Sequence, residues 1–232
     1  EPSMTTIASV RDVSREYQQG PHTIRALDGV SLDVMQGDFM ALMGPSGSGK
    51  STLLNLLGGL DLPTAGEVTI EGHGLSTLGE KALSELRRDR LGFIFQSYNL
   101  IPVLTAFENA EFVLMLQGKS AAERRTIVMK TLAEVGLEGL EDRRPNELSG
   151  GQQQRVAVAR AIAGKPALVL ADEPTANLDS TTGHALIELM QRLNRDHGIT
   201  FIFVTHDPKV MEAATRVVEL VDGDIASDTR QG

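Results

Sequence analysis

Phe39-Met40-Ala41-Leu42-Met43-Gly44-Pro45-Ser46-Gly47-Ser48-Gly49-Lys50-Ser51 opens as an apolar strand, passes through a glycine-rich loop and runs into a helical pattern. The loop satisfies the P-loop spacing in the context that spacing needs, a strand before it and a helix after it whose Leu53, Leu54 and Leu57 share one face. Its glycines let backbone N–H groups wrap phosphates, and the helix N-terminus adds positive potential. Lys50 can reach the β- and γ-phosphates and Ser51 can ligate Mg²⁺. An ordinary Gly/Ser turn needs neither the lysine nor the flanking elements.

Outward from this loop, short β-branched runs alternate with helical patterns. Val30–Met35 precedes the loop strand, while Ala167–Ala171 and Thr200–Val204 are each followed by a helix. This alternation predicts a mainly parallel α/β sheet. From Thr105 to Ala163 no strand is expected. Two capping boxes, Thr105 with Glu108 and Ser120 with Glu123, open helices there, which reads as an inserted helical subdomain. Near the end, Asp222-Gly223 separates Val217–Val221 from a short Ile225 segment, a hairpin signal ahead of a polar tail.

The 232 residues, 41% of them hydrophobic, suffice for one domain with a real core. Twenty-two basic against 31 acidic residues give a net charge of -9, which argues against a general nucleic-acid binder. With no cysteine, disulfides, thiol nucleophiles and cysteine-ligated metals are excluded. No apolar run is long enough to span a bilayer: the Leu-rich stretch Leu53–Leu62 is broken by Asn55, Gly58, Gly59 and Asp61. The start Glu1-Pro2-Ser3-Met4 lacks a basic and apolar leader, so Met4 is expected to be the native start and secretion is not expected.

Two further segments carry chemistry. Leu168-Val169-Leu170-Ala171-Asp172-Glu173 is an apolar strand ending in two carboxylates. Beside a P-loop, Asp172 is placed to hold Mg²⁺ through water, and Glu173 can polarise an attacking water. Adjacent carboxylates repel, and a divalent cation would offset much of that. Leu148-Ser149-Gly150-Gly151-Gln152 opens another helix, and Ser149 with Gln152 has capping-box spacing. A cap alone does not explain Gly150 and Gly151, each worth about 1 kcal/mol against alanine in a helix. The pair implies a close approach to the backbone, and hence a second anion site.

These segments together resemble the ATP-binding cassette (ABC) family, whose signature stands unaltered at Leu148–Gln152. P-loop, signature and the Asp-Glu strand end follow in the family's order, and the resemblance covers nearly the whole chain. It implies a single ABC ATPase domain over 1–232: a P-loop NTPase α/β core with a small antiparallel β part (1–96 and 164–232) and a helical signature subdomain (97–163). Its ATP set would be Gly44, Pro45, Ser46, Gly47, Ser48, Gly49, Lys50, Ser51 and Thr52, with Ser149, Gly150, Gly151 and Gln152 at the signature. By the same resemblance Gln96, ending the strand Leu91–Phe95, looks like the loop glutamine that touches Mg²⁺ and the water. His206 looks like the switch histidine at the γ-phosphate, so Glu173, His206 and Gln96 form the catalytic set and Ser51, Gln96 and Asp172 the metal set. Asn177-Leu178-Asp179 resembles the loop that links two sites across a dimer, although Asp179 equally suits a helix N-cap. Tyr17 matches the aromatic that stacks on adenine, or is a plain surface tyrosine.

Gly59–Thr64, Gly92–Pro102 and Glu173–Asp179 look like the subfamily of lipoprotein-releasing, macrolide-export and cell-division ATPases. The family implies a head-to-tail, ATP-dependent homodimer working on integral-membrane permease subunits from the cytoplasmic face of the cell membrane. The alternative is a soluble ABC ATPase of the DNA-repair or translation type. Those carry long coiled-coil insertions or paired cassettes, whereas Gln96 to Ser149 leaves room only for a compact helical unit on an acidic chain. A non-hydrolysing scaffold would need neither Glu173 nor His206.

Overall fold

The computed structural model describes residues 4–232, and the reading of a leader-free start falls on Glu1–Ser3, outside the described residues. Strands β1 (Thr6–Gln19) and β2 (His22–Met35) form a 14-residue by 14-residue antiparallel hairpin. β3 (Phe39–Met43) leads through the P-loop to α1 (Lys50–Leu57). β4 (Ala65–Ile70) and β5 (His73–Gly74) follow, then α2 (Glu80–Arg90) and β6 (Leu91–Ile94). Three helices come next: α3 (Ala106–Leu116), α4 (Ala121–Glu134) and α5 (Gly150–Ala163). β7 (Leu168–Asp172), α6 (Ser180–His197), β8 (Thr200–Val204), α7 (Pro208–Ala213) and the hairpin β9 (Arg216–Val221) with β10 (Asp224–Arg230) complete the chain.

The main sheet has the order β10-β9-β3-β8-β7-β6, parallel except for β10, and a four-stranded antiparallel sheet runs β2-β1-β4-β5. The expected α/β class and mainly parallel core are therefore present. Alternate residues of the central strands feed two cores, as period-two geometry requires of a sheet covered on both faces. Phe39, Ala41, Val169, Ala171, Phe201 and Phe203 pack with α3, α5 and α6. Met40, Leu42, Leu168, Leu170, Ile202 and Val204 pack with α1 and the antiparallel sheet.

Both expected capping boxes close: Thr105 and Ser120 accept from the Glu108 and Glu123 backbone N–H groups, and each glutamate returns the bond. Asp222-Gly223 is a type I′ turn, with φ of 49° and 80°. The polar tail, however, is strand. β10 pairs with β9 as far as Arg230, held by Arg216–Asp228 at 2.7 Å and by Arg230–Asp38 at 3.0 Å. Asp38 and Arg216 are themselves buried, and their 3.0 Å pair ties the hairpin to the start of β3.

Candidate active site

In this parallel sheet the C-terminal ends of β3, β8, β7 and β6 lie side by side, and each is followed by one of the expected segments. Strand register puts Leu42 opposite Val204, and Val204 opposite Asp172. A crevice at the carboxyl ends of such strands is where α/β folds bind ligands.

The P-loop backbone is braced on two sides. Gly44 has φ 145°, and a Cβ there would lie 2.1 Å from the Leu220 carbonyl oxygen, so only glycine lets the loop leave β3 against β9. Gly49, the N-cap of α1, offers no side-chain cap to the first turn of the helix. Those N–H groups are the donors that an anion takes up. Pro45, Ser46, Gly47 and Ser51 are exposed, Thr52 is half-buried, and Ser48 is buried with no protein partner for its hydroxyl. Lys50 is buried, and its ammonium donates to the carbonyls of Gly44 and, at 3.1 Å, Pro45. A buried cation folded onto its own loop, beside uncapped N–H groups, fits a polyphosphate.

Facing this cradle, Asp172 ends β7 and Glu173 follows in the left-handed region, with φ 47°. The Glu173 N–H donates to the Val204 carbonyl at 2.8 Å, which fixes the turn. His206 lies against its carboxylate: the backbone N–H is 3.3 Å from Oε2, and Nε2 is 3.5 Å from Oε1. Burial raises the pKa of Glu173, opposed by the His206 N–H and charge, and burial raises that of Asp172. Two carboxylates held partly out of water beside one lysine form a site that a small divalent cation suits. The described residues hold no group of three or more His, Asp or Glu poised as a metal cage. The hydroxyl of Ser51, the amide oxygen of Gln96 and the carboxylate of Asp172 are hard oxygen donors of the kind Mg²⁺ takes.

Gln96 lies just past β6 and is tied to the loop before α6: its Nε2 donates to Asn177 Oδ1 at 3.3 Å, and Asn177 Nδ2 donates to the Gln96 carbonyl at 3.0 Å. Asp179 caps α6, accepting from the Thr182 N–H at 3.0 Å. Ser149 caps α5 with its box closed by Gln152. Gly150 and Gly151 have a reason inside the chain. A Cβ at 150 would come within 2.9 Å of the Tyr98 hydroxyl, and one at 151 within 2.3 Å of Thr182 Cγ2. Tyr17, in β1, carries the Arg15 guanidinium 4.4 Å over its ring and donates its hydroxyl to Asp61 at 2.9 Å.

Sequence reasoning passed over the supports of the Gln96 loop. Tyr98 and Asn99 have φ of 63° and 53°, and Arg160 donates to both of their carbonyls at 2.8 and 2.6 Å. Gln154 is wholly buried and binds the carbonyls of Phe95 and Pro174. The available signal was a glutamine in an otherwise apolar face of α5.

A strand–P-loop–helix unit at the same sheet end as a strand-end Asp-Glu pair, in a chain that also carries a Ser-Gly-Gly-Gln helix start, defines a P-loop ATPase of the ABC class. The chain matches the ABC transporter family over residues 27–176 and belongs to it. It is 47% identical to the lipoprotein-releasing system ATP-binding protein LolD of Anaeromyxobacter dehalogenans, over 98% of this chain and 96% of that one. It is 43% identical to the macrolide export ATP-binding/permease protein MacB of Mannheimia succiniciproducens, covering 97% of this chain and 35% of that longer protein. The solved dimeric structure of the ATP-binding cassette MJ0796, bound to ADP and Pi, superposes with a TM-score of 0.88 at 43% identity over 97% of this chain and all of that one. The protein is thus an ATP-hydrolysing, ATP-binding subunit of an ABC transporter, of the kind found in the lipoprotein-release and macrolide-export systems.

Proposed function

We propose that two copies of this chain close head to tail around ATP, each P-loop facing Ser149–Gln152 of the other copy, and that closure followed by hydrolysis drives membrane permease subunits. The observation that carries this reading is Glu173, half-buried at a strand end and engaged by His206, at the same end of the sheet as the P-loop. Glu173 accepts the proton of the attacking water, and His206 both orients it and contacts the γ-phosphate. Lys50 and the α1 N-terminus hold the β- and γ-phosphates, together with Gly44–Ser48 and Thr52. Ser51, Gln96 and Asp172 would hold Mg²⁺, which offsets charge on the phosphates. Adenine stacks on the face of Tyr17 that Arg15 leaves open. In support of a dimer, the cassette MJ0796 is described as dimeric.

Residues 97–163 form the helical signature subdomain, and 1–96 with 164–232 the core. No helix among the described residues is long and apolar enough to cross a membrane. We place the chain at the cytoplasmic face of the membrane, beneath the permease subunits. Exposed Ile101, Val103, Phe112, Met115 and Leu116, on α3 and the loop before it, supply an apolar face for docking. The acidic charge and the compact 97–163 unit weigh against a DNA-repair or translation role.

Glu173→Gln tests the reading. The variant should bind Mg-ATP, lose about 10²–10⁴ in hydrolysis rate, and elute as a dimer with Mg-ATP in size-exclusion chromatography. A variant that hydrolyses ATP at the wild-type rate, or stays monomeric, removes Glu173 from that role.

A further inference from the structure

Helix α5 lies along β6 and the segment that continues it, in opposite directions. A Cβ at Gly92 would meet the Ala161 carbonyl at 2.5 Å, Gln154 Nε2 reaches the Phe95 carbonyl at 3.1 Å, and Gly150 faces the Tyr98 hydroxyl. The spacing matches: seven helical residues from Gln154 to Ala161 and three extended residues from Gly92 to Phe95 both span about 10 Å. Within this track Gln154 makes a second bond, from the same Nε2 to the Pro174 carbonyl at 2.7 Å. Both groups are acceptors only, so the amide nitrogen must face them and both of its hydrogens are used. The side chain is wholly buried, and its Oε1 has no protein partner. A buried acceptor without a partner is destabilising, and the chain carries one here to keep two donors in place. Phe95 precedes Gln96, and Pro174 follows Glu173, whose other side is fixed by its N–H on Val204.

We propose that Gln154 is a positioning residue for ATP hydrolysis: from the signature helix, two residues past Gln152, it locks the backbone beside both Gln96 and Glu173. Any displacement of the signature helix is thereby transmitted to the two side chains that handle the water. This rests on the roles proposed above for Gln96 and Glu173. Gln154 has no side-chain surface open to a ligand, and its bonds go to the Phe95 and Pro174 carbonyls rather than to the P-loop, so its loss acts on turnover rather than on binding.

The test uses the full chain with Gln154→Glu, which keeps the shape but loses the donor pair, and Gln154→Met, which keeps the volume. In both, kcat should fall about 10- to 100-fold, the scale of an ångström misplacement at a reacting group. KM and the affinity for a fluorescent ATP analogue should move less than about threefold. A kcat within twofold of wild type in a folded variant, or kcat and nucleotide affinity lost together, overturns the proposal. Should both variants fail to fold, the wild type decides. Its Gln154 side-chain amide protons should exchange slowly as a resolved pair by NMR, and fast exchange overturns the lock. Glu173→Gln runs alongside. If it hydrolyses normally, the reading of the site fails; if it is dead while Gln154→Glu is fully active, only the positioning role fails.

Discussion

Gly223 and Gly72 occupy the same position in two similar turns. Asp222-Gly223 and Glu71-Gly72 have φ of 49° and 80°, and of 47° and 80°. A Cβ at Gly72 meets nothing within 4 Å, whereas one at Gly223 would lie 2.7 Å from the Ala26 carbonyl oxygen and 3.3 Å from Leu27 Cα, all immovable backbone. Gly223 also donates to the Ser48 carbonyl at 3.0 Å and accepts from the Asp28 N–H at 2.9 Å, so its turn clamps the P-loop to β2. Alanine at either position costs about 1–2 kcal/mol of left-handed strain. At 223 the turn must also move away, losing two hydrogen bonds of about 0.5–1.5 kcal/mol each. Gly223→Ala should therefore destabilise by about 2–5 kcal/mol and Gly72→Ala by about 1–2. At about 2–4 °C per kcal/mol for a chain of this size, the first melts roughly 4–20 °C low and the second roughly 2–8 °C. Thermal melts and urea titrations read the difference, and ATP affinity should fall for Gly223→Ala alone. Equal melting temperatures for the two variants, or unchanged ATP affinity in Gly223→Ala, would refute the idea that the hairpin braces the loop.

Two other outcomes follow from the site. Burial holds the Glu173 and Asp172 pKa values above the ordinary carboxylate range, so ionising them opposes folding. That penalty is absent below the unfolded pKa of about 4 and is fully felt only above the raised native one. With metal chelated, Glu173→Gln should be more stable than wild type at pH 7 and equal to it near pH 3, as paired urea titrations would reveal; a gap that widens on acidification contradicts the burial argument. On the docking face, Val103→Asp with Met115→Asp should leave basal ATPase within about twofold, since both side chains are exposed and away from the phosphate loop. Transport in vesicles reconstituted with the permease should fall at least tenfold, and unimpaired transport would move the docking face elsewhere.

The core was legible because its signals are local. The P-loop carries its own strand and helix, and each capping box lies within four residues. Features set by distant partners were less so. β1 and β2 run far beyond the apolar runs Ile7–Val13 and Val30–Met35 because bulges between Val10 and Arg15 break the alternation that marks a strand. α2 is mostly charged and packs only Leu83 and Leu86, both partly buried, against the core, which leaves a narrow apolar stripe to read. β10 looks like a polar tail until Arg216 and Asp38 supply the opposite charges that hold it. Within the site, residue types and order were plain, but supports such as Gln154 and Arg160 act on backbone carbonyls. A sequence does not mark which carbonyl a side chain will meet. The cost of Gly150 and Gly151 was also visible, though Tyr98 and Thr182 within the chain account for part of it.

The shared site is tested most directly by mixing two lesions. Lys50→Ala removes the buried charge from the phosphate loop, and Ser149→Phe blocks the exposed start of the signature helix. Each is placed in a Glu173→Gln background with its own tag, and trapped ATP is counted per mixed dimer after tandem pulldown. If each site takes its P-loop from one chain and its signature from the other, one site of the mixed dimer carries both lesions and the other is intact. About one ATP per mixed dimer, against none for either parent, is the expected result. Mixed dimers that form but trap no ATP would contradict the head-to-tail arrangement.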